Sequence, residues 1–363
     1  MRVEIATVIG IHLVALALGQ DYYPRKDAVF GQVAIGEEIE TVLNLTNRGM
    51  RLYEGSALFV KRENEIWNPL INGIPISEGE YPVRVPPQST VTLRLSGDRL
   101  ESGAAIIVSR DLILDNFLES NLTYYVRAGQ KVVDSVGVSP SREFYLSSIP
   151  FENFQSIALA LVNGDLSGKR RADVQFRLLA EDGSELATQR FELGPFFHAA
   201  QFLFELFPGI DLGRGKVEIF SDFPIFGTAL ILEQGELSSL PLEPSPVSYA
   251  LRMVSSDGSL ATGAMTLWAE GFFVGGYFRI DEVDQEFLEE SVFGLVSGQL
   301  FDGFLQLSFP LGRDPFFSEE VTMYVEHENF SFGSEIAAST FVQTFLSDHA
   351  TLGGTYQLTR VTD

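Results

Sequence analysis

The chain has no cysteine, only 2 tryptophans and 4 histidines, and about half as many basic as acidic residues. Its 25 Lys+Arg against 49 Asp+Glu give a formal charge of −24 over 363 residues. Without cysteine there is no disulfide, thiolate zinc site, cysteine nucleophile or lipid-modified cysteine anchor. So few cations argue against nucleic acid, whose binding depends on clustered Lys and Arg displacing counterions from phosphates. What is present is ample apolar material. Hydrophobic residues make up 45% of the chain, enough for packed cores, and at roughly 100–200 residues per domain the length points to two or three domains.

Long hydrophobic runs are also missing after the first residues. Ile5 to Leu18 is an apolar run behind Arg2, and Ala17-Leu18-Gly19 supplies small residues before Gln20. Residues 1–19 therefore read as a secretory signal peptide. The run falls short of the roughly 20 residues a membrane-crossing helix needs, which leaves a short membrane anchor as the rival reading. No transmembrane helix is expected once the signal is removed. The expected location is secreted, periplasmic or cell-surface, and domains exported without cysteine must be stable on packing alone.

From residue 28 onward the hydrophobic pattern has period two. Val174, Phe176 and Leu178 alternate with Gln175 and Arg177, and Leu305, Leu307 and Phe309 alternate with Gln306 and Ser308, as half-buried strands require. Asn72-Gly73, Asp182-Gly183, Asp257-Gly258 and Asp302-Gly303 are turn dipeptides that tolerate positive φ. The expected class is all-β. One exception is Ala199 to Phe207, where Phe202, Leu203, Leu206 and Phe207 have helical spacing and Pro208-Gly209 stops the run; it predicts a single helical crossover.

An internal repeat organises the first two thirds. Thr41-Val42-Leu43-Asn44-Leu45-Thr46-Asn47 matches Ile157-Ala158-Leu159-Ala160-Leu161-Val162-Asn163, and Ser102-Gly103 to Ser109 parallels Arg214-Gly215 to Ser221. Each copy holds about seven short strands, the size and pattern of an immunoglobulin-like sandwich. In the second copy, Ala158 to Asn163, Glu181-Asp182-Gly183, Glu205-Leu206-Phe207-Pro208-Gly209 and Val217 to Ile225 resemble the tandem immunoglobulin-like modules of uncharacterised secreted bacterial proteins. The first copy resembles the companion module that precedes them. This resemblance covers residues 28–243 and implies a fold and a module order, with no catalytic residue to carry over. The first copy lacks the Leu-Phe-Pro-Gly crossover and has Pro86-Pro87 in that region.

After Pro241, Pro244 and Pro246 come closely spaced strands and glycines that relieve bends, which point to a small closed antiparallel barrel or a third sandwich. The closing Gly354-Thr355-Tyr356-Gln357-Leu358 is similar to the last strand of calycin-like barrels. The expected organisation is thus a signal peptide at 1–19, sandwiches at 20–139 and 140–243, and a β-barrel-like domain at 244–363. That last part carries 4 Lys+Arg against 17 Asp+Glu, so more than half of the net charge lies on it.

Constellations with chemistry are sparse. His198, His327 and His349 are unpaired at metal-ligand spacing, and no nucleophile-elbow, His-Glu-x-x-His or phosphate-loop motif occurs. Asp281, Glu282, Asp284 and Glu286, followed by Glu289-Glu290, form the one candidate calcium loop, although the EF-hand glycine and register are absent, which leaves a solvated acidic loop as the other reading. No other cofactor is expected. Thr266, Trp268 and Glu270, and likewise Thr322, Tyr324 and Glu326, share one face of a strand; turned inward, Trp268 and Tyr324 would line a ligand pocket, and turned outward they would lie on the barrel surface. The doublets Phe196-Phe197, Phe272-Phe273 and Phe316-Phe317 each place one ring away from the core if they lie in strands. The expected function is a non-catalytic binding, adhesion or spacer protein whose partner is an extracytoplasmic protein, glycan or small molecule. Two alternatives stand beside it, a small-ligand carrier using the barrel and an exported carboxylate-dependent hydrolase.

Overall fold

The computed structural model describes residues 25–61, 67–109, 118–211, 213–233, 236–255, 258, 260–271, 273–283, 292–301, 304–311, 319–326, 336–344 and 351–361. For 309–311, 319–326, 336–344, 351–354 and a few other strand-end residues only the backbone is described. The expected signal peptide at 1–19 lies outside these residues.

The chain is all-β. Its first ten strands are β1 (Arg25–Ile35), β2 (Ile39–Asn47), β3 (Tyr53–Val60), β4 (Leu70–Ile71), β5 (Ile74–Pro75), β6 (Glu80–Val85), β7 (Ser89–Ser96), β8 (Glu101–Ser109), β9 (Leu118–Ala128) and β10 (Lys131–Val138). They form two facing sheets, ordered β1-β8-β3-β6 and β10-β9-β2-β7-β4-β5. Between the sheets lies one core that includes Phe30, Leu43, Leu45, Phe59, Trp67, Leu93 and Ile107. Asn72 and Gly73, with φ of 52° and 77°, turn the β4–β5 hairpin, as a two-residue connection between right-twisted strands demands.

The next seven strands are β11 (Phe144–Phe151), β12 (Ile157–Val162), β13 (Ala172–Ala180), β14 (Glu185–Leu193), β15 (His198–Phe202), β16 (Gly215–Glu233) and β17 (Glu236–Pro241). β16 serves two sheets. Up to Ile225 it pairs with β11 and β13, and from Phe226 it pairs with β12 and β17. Pro224 sits at the transfer, where a residue without an N–H costs no ladder bond. Phe176, Leu178 and Val217 of one half pack against Leu159, Leu161 and Ala229 of the other.

The two sandwiches have the same connectivity. β1, β2, β3, β6, β7 and β8 correspond to β11, β12, β13, β14, β15 and the first half of β16, and β9 and β10 to its second half and β17. In an immunoglobulin constant-type domain the first strand lies beside the second and the last beside the sixth. Here the terminal strands exchange places: β1 pairs with β8 and β9 with β2.

Buried side chains confirm the register of the repeat. Asn47 donates from Nδ2 to the carbonyls of Arg51 (2.7 Å) and Val85 (3.0 Å), and its Oδ1 accepts the Gly49 amide (2.8 Å). Asn163 donates to the carbonyls of Arg170 (2.9 Å) and Leu193 (3.0 Å) and accepts the Asp165 amide (3.0 Å). Val85 and Leu193 both end corresponding strands. Gly103 and Gly215 are likewise equivalent, since a Cβ would meet the Val60 carbonyl at 2.3 Å in one and the Leu179 carbonyl at 2.5 Å in the other.

Two connections differ from expectation. Ala199 to Phe202 are strand, because they pair with β12 from Leu161 to Ala158, and only α1 (Leu203–Leu206) is helical. Helical spacing of the phenylalanines is outweighed there by the ladder. Pro86-Pro87 corresponds to Gly194-Pro195 rather than to the crossover: each is followed by a non-glycine residue of positive φ, Gln88 (53°) and Phe196 (54°), as a proline-led type II turn requires.

The third part is a closed barrel of eight strands, each paired with the next and the last with the first. They are β18 (Val247–Ser255), β19 (Leu260–Glu270), β20 (Phe273–Val283), β21 (Val292–Phe301), β22 (Phe304–Leu311), β23 (Glu319–Glu326), β24 (Ile336–Thr344) and β25 (Thr351–Arg360). Met253, Met265, Leu267, Phe278, Ile280, Tyr356 and Leu358 belong to its interior cluster.

The three parts are joined by packing and charge. Val29, Ile106 and Val108, on the outer face of the β1-β8-β3-β6 sheet, pack against Val162 and Phe226 of the second sandwich. Tyr145 and Leu146 of β11 join the barrel cluster. Glu218, on β16, accepts Arg177 (3.2 Å), Lys216 (3.2 Å) and Arg360 (3.5 Å), and the guanidinium groups of Arg177 and Arg360 lie over the Phe220 ring.

Asn163→Ala leaves two carbonyls and one amide without their buried partner, a loss on the order of 1–3 kcal/mol. In urea, unfolding of the variant followed by circular dichroism should begin at distinctly lower denaturant; an unchanged profile would show that the repeat does not depend on this side chain.

Candidate functional site

The surface that stands out is on the barrel, and strand alternation builds it. In β19, Met265, Leu267 and Ala269 point into the barrel, so Thr266 and Trp268 point out. In β20 the inward residues are Val274, Phe278 and Ile280, which leaves Phe273, Gly275, Tyr277 and Arg279 outside. β21 presents Phe293, Leu295, Ser297 and Gln299 outward around inward Val296 and Leu300.

Register then aligns the rings. Tyr277 stands opposite Thr266 on one side and Leu295 on the other, while Trp268 stands opposite Gly275 and Phe293 opposite Arg279. The three rings form a diagonal stripe across β19, β20 and β21. The centroids of Trp268 and Tyr277 are 5.4 Å apart, and those of Tyr277 and Phe293 are 6.1 Å apart with planes only 9° from parallel. Such pairs gain more than their buried area alone. Gly275 is needed for this: a Cβ there would be 3.0 Å from the indole, so its absence lets Trp268 lie down over β20.

The stripe is open to solvent. Tyr277 is 46% exposed, Phe293 70%, Leu295 65% and Phe273 70%, whereas Trp268 is half-buried beneath its neighbours. Large apolar side chains thus lie exposed side by side on adjacent strands. Its rim is made of neutral groups, Thr266, Ser297 and Gln299, with Ser248 bonded to Thr266 (3.2 Å). Among the described residues the nearest charges are paired, Arg279 with Asp281 (2.6 Å) and Glu270 with Arg142 (3.8 Å).

The other candidates fall elsewhere. Asp281 is exposed beside Arg279; Glu282 lies in β20 with its side chain undescribed, and Asp284 and Glu286 lie outside the described residues. Among the described residues no group of three or more His, Asp or Glu side chains is placed to hold a metal. Tyr324 lies on β23, opposite Gln306 and Thr340, on the far side of the barrel wall from Trp268 in strand order, and the backbone does not bring the two together. His198 is buried where the two sandwiches meet, with Nε2 2.9 Å from Gln32 Oε1; His327 and His349 are outside the described residues. Phe196 packs into the seam between the sandwiches, Phe273 is in the exposed stripe, and Phe272, Phe316 and Phe317 are not described.

Buried carboxylates have structural partners. Burial alone would raise Asp165, but hydrogen bonds from the Ser167 hydroxyl and the amides of Arg170, Ser167 and Lys169 hold it below the usual carboxylate range. A cleft of about 720 Å3 lies where the three parts meet, and there Lys26 pairs with Glu143 and Arg142 with Glu243. Among the described residues no helix is long and apolar enough to cross a membrane.

Tyr277, Phe293 and Leu295 were not singled out by sequence motifs. The available signal was the pair Tyr277-Phe278, since consecutive aromatics in a strand face opposite ways and one of them must be outside. Trp67 is buried over Gly103 and bonded to Glu101 (3.0 Å). Acrylamide should therefore quench one tryptophan component and spare the other, and Trp268→Phe should remove the quenchable one; uniform quenching of both would contradict the placement of Trp268. Comparison of the chain with protein-family models, with curated proteins and with solved structures returns no match.

Proposed function

We propose that this is an extracytoplasmic binding protein that acts without catalysis, with the outer face of β19–β21 as its contact surface and the two sandwiches as the spacer that carries it. The observation that carries the reading is the Trp268-Tyr277-Phe293 stripe, in which Tyr277 and Phe293 are exposed and Trp268 is half-buried. Leaving such rings in water sacrifices apolar burial worth about 25 cal/mol per Å2, and covering them with a ligand recovers it. Two features support a fixed mounting. The barrel is tied to the second sandwich through Glu218 and Phe220, and the second sandwich to the first through the apolar seam.

The outer face is favoured over an enclosed ligand by the described interior, where Tyr249, Met253, Phe278 and Tyr356 are each at most 1% exposed and pack into one cluster. Export rests on the Ile5–Leu18 run and the small residues after it. The tandem duplication suits a spacer, since repeated sandwiches extend reach without new chemistry.

The test compares the full chain with a Tyr277→Ser/Phe293→Ser variant on immobilised polysaccharides, basic and neutral proteins, and phosphatidylcholine vesicles. At least one surface should retain the parent chain and hold the variant at least tenfold more weakly, with the bound material recovered unaltered. Retention that is equal in both, or cleavage of the bound material, would contradict the reading.

A further inference from the structure

We infer that the stripe accepts an extended, uncharged polysaccharide, whose successive sugar rings stack on Trp268, Tyr277 and Phe293. The inference rests on the reading of this face as a binding surface and names what it binds.

Spacing is the first argument. The two centroid separations, 5.4 and 6.1 Å, are comparable with the spacing of successive pyranose rings in an extended glycan. Across three strands about 4.8 Å apart the stripe runs for roughly 10 Å, long enough for two to three such rings. The axial C–H groups of a pyranose are electropositive and meet the negative face of an aromatic ring.

Rim chemistry is the second. Around the rings stand the hydroxyls of Thr266 and Ser297 and the amide of Gln299, which can both donate to and accept from sugar hydroxyls. The adjacent Arg279 and Glu270 are already engaged by Asp281 and Arg142. Among the described residues a charged ligand would find no complementary group beside the rings without breaking one of these pairs.

Whole-chain charge is the third. At −24, with most of it on the barrel part, the protein repels anionic polysaccharides, phosphate-rich surfaces and other copies of itself. A second copy would bring its own negative barrel against the first. A basic protein partner would be attracted to the barrel at large, yet among the described residues the carboxylates beside the stripe, Asp281 and Glu270, are already paired. A neutral polymer pays no such electrostatic cost.

Native affinity electrophoresis of the full chain tests this, with hydroxyethylcellulose, galactomannan and xyloglucan as neutral polymers and alginate and polygalacturonate as anionic ones. At least one neutral polymer should retard the parent chain, the retardation should persist in 1 M NaCl, and Tyr277→Ser/Phe293→Ser should weaken it at least tenfold. Tyr277→Phe and Phe293→Tyr keep a ring at each position and should retain binding, which separates loss of the platform from loss of folding. Retardation by anionic polymers alone, loss of retardation in salt, or no retardation by any neutral polymer overturns the inference. If instead the parent chain elutes as a dimer in size-exclusion chromatography and the serine variant as a monomer, the occupant is a second copy: the glycan inference fails while the binding surface stands. If neither polymers, self-association, nor the proteins and vesicles of the preceding test distinguish parent from variant, both fail.

Discussion

The arrangement depends on strands that are buried on both faces. With no disulfide to staple the parts, the first sandwich is held to the second by the outer face of its own sheet, where Val29, Ile106 and Val108 meet Val162 and Phe226. The inner face of the same strands supplies Phe30, Ala105 and Ile107 to the first core. A single strand thus serves two clusters. Shortening Ile106 or Phe226 would open a cavity in the seam, and core truncations of this kind cost about 2–5 kcal/mol. At the other end Tyr145 and Leu146 do the same for the barrel, aided by Glu218, whose side chain is only 9% exposed between three cations.

The duplication shows which features a sandwich of this connectivity requires. Both copies keep the buried Asn at the end of the second strand, because it satisfies a carbonyl and an amide of the chain leaving that strand and the last carbonyl of a neighbouring strand. Both keep the Gly at the start of the sixth, because a neighbouring carbonyl occupies the space of a Cβ. They differ where pairing does not dictate sequence. The first copy covers its β7 edge with the β4–β5 hairpin, while the second leaves β15 as a five-residue edge, with the His198 amide bonded to the Lys61 carbonyl and the Phe202 amide to Glu205. A short edge with occupied ends resists further pairing.

Period-two alternation made the all-β class legible, because a half-buried strand writes its two faces directly into the sequence, and the turn dipeptides Asn72-Gly73 and Asp182-Gly183 carry the expected positive φ at Asn72, Gly73 and Gly183, while Asp257 and Asp302-Gly303 lie outside the described residues. Val174, Phe176 and Leu178 are buried as their alternation required, and the closed barrel is one of the two architectures that the closely spaced C-terminal strands allowed. Less legible was whatever depends on pairing at a distance. Ala104-Ala105-Ile106-Ile107-Val108 carries no alternation, and only the structure shows that both its faces are covered. The exchange of terminal strands between sheets leaves no local trace. In the stripe, Trp268 was legible as a residue, while Tyr277 and Phe293 join it through a register between strands that sequence spacing does not encode.

On the proposed reading, these features together mount one exposed face. Sandwich packing and the Glu218 cluster position the barrel, Gly275 makes room for the Trp268 indole over β20, and Tyr277, tilted 53° from the indole, and Phe293 continue the stripe across two more strands. Function on this account is located in the outer wall of β19–β21. Hydrogen–deuterium exchange of the full chain, with and without a retained neutral polysaccharide, tests that most directly. The account predicts added protection confined to peptides covering residues 260–301; protection concentrated in the sandwiches, or at peptides covering residues 144–241, would contradict it.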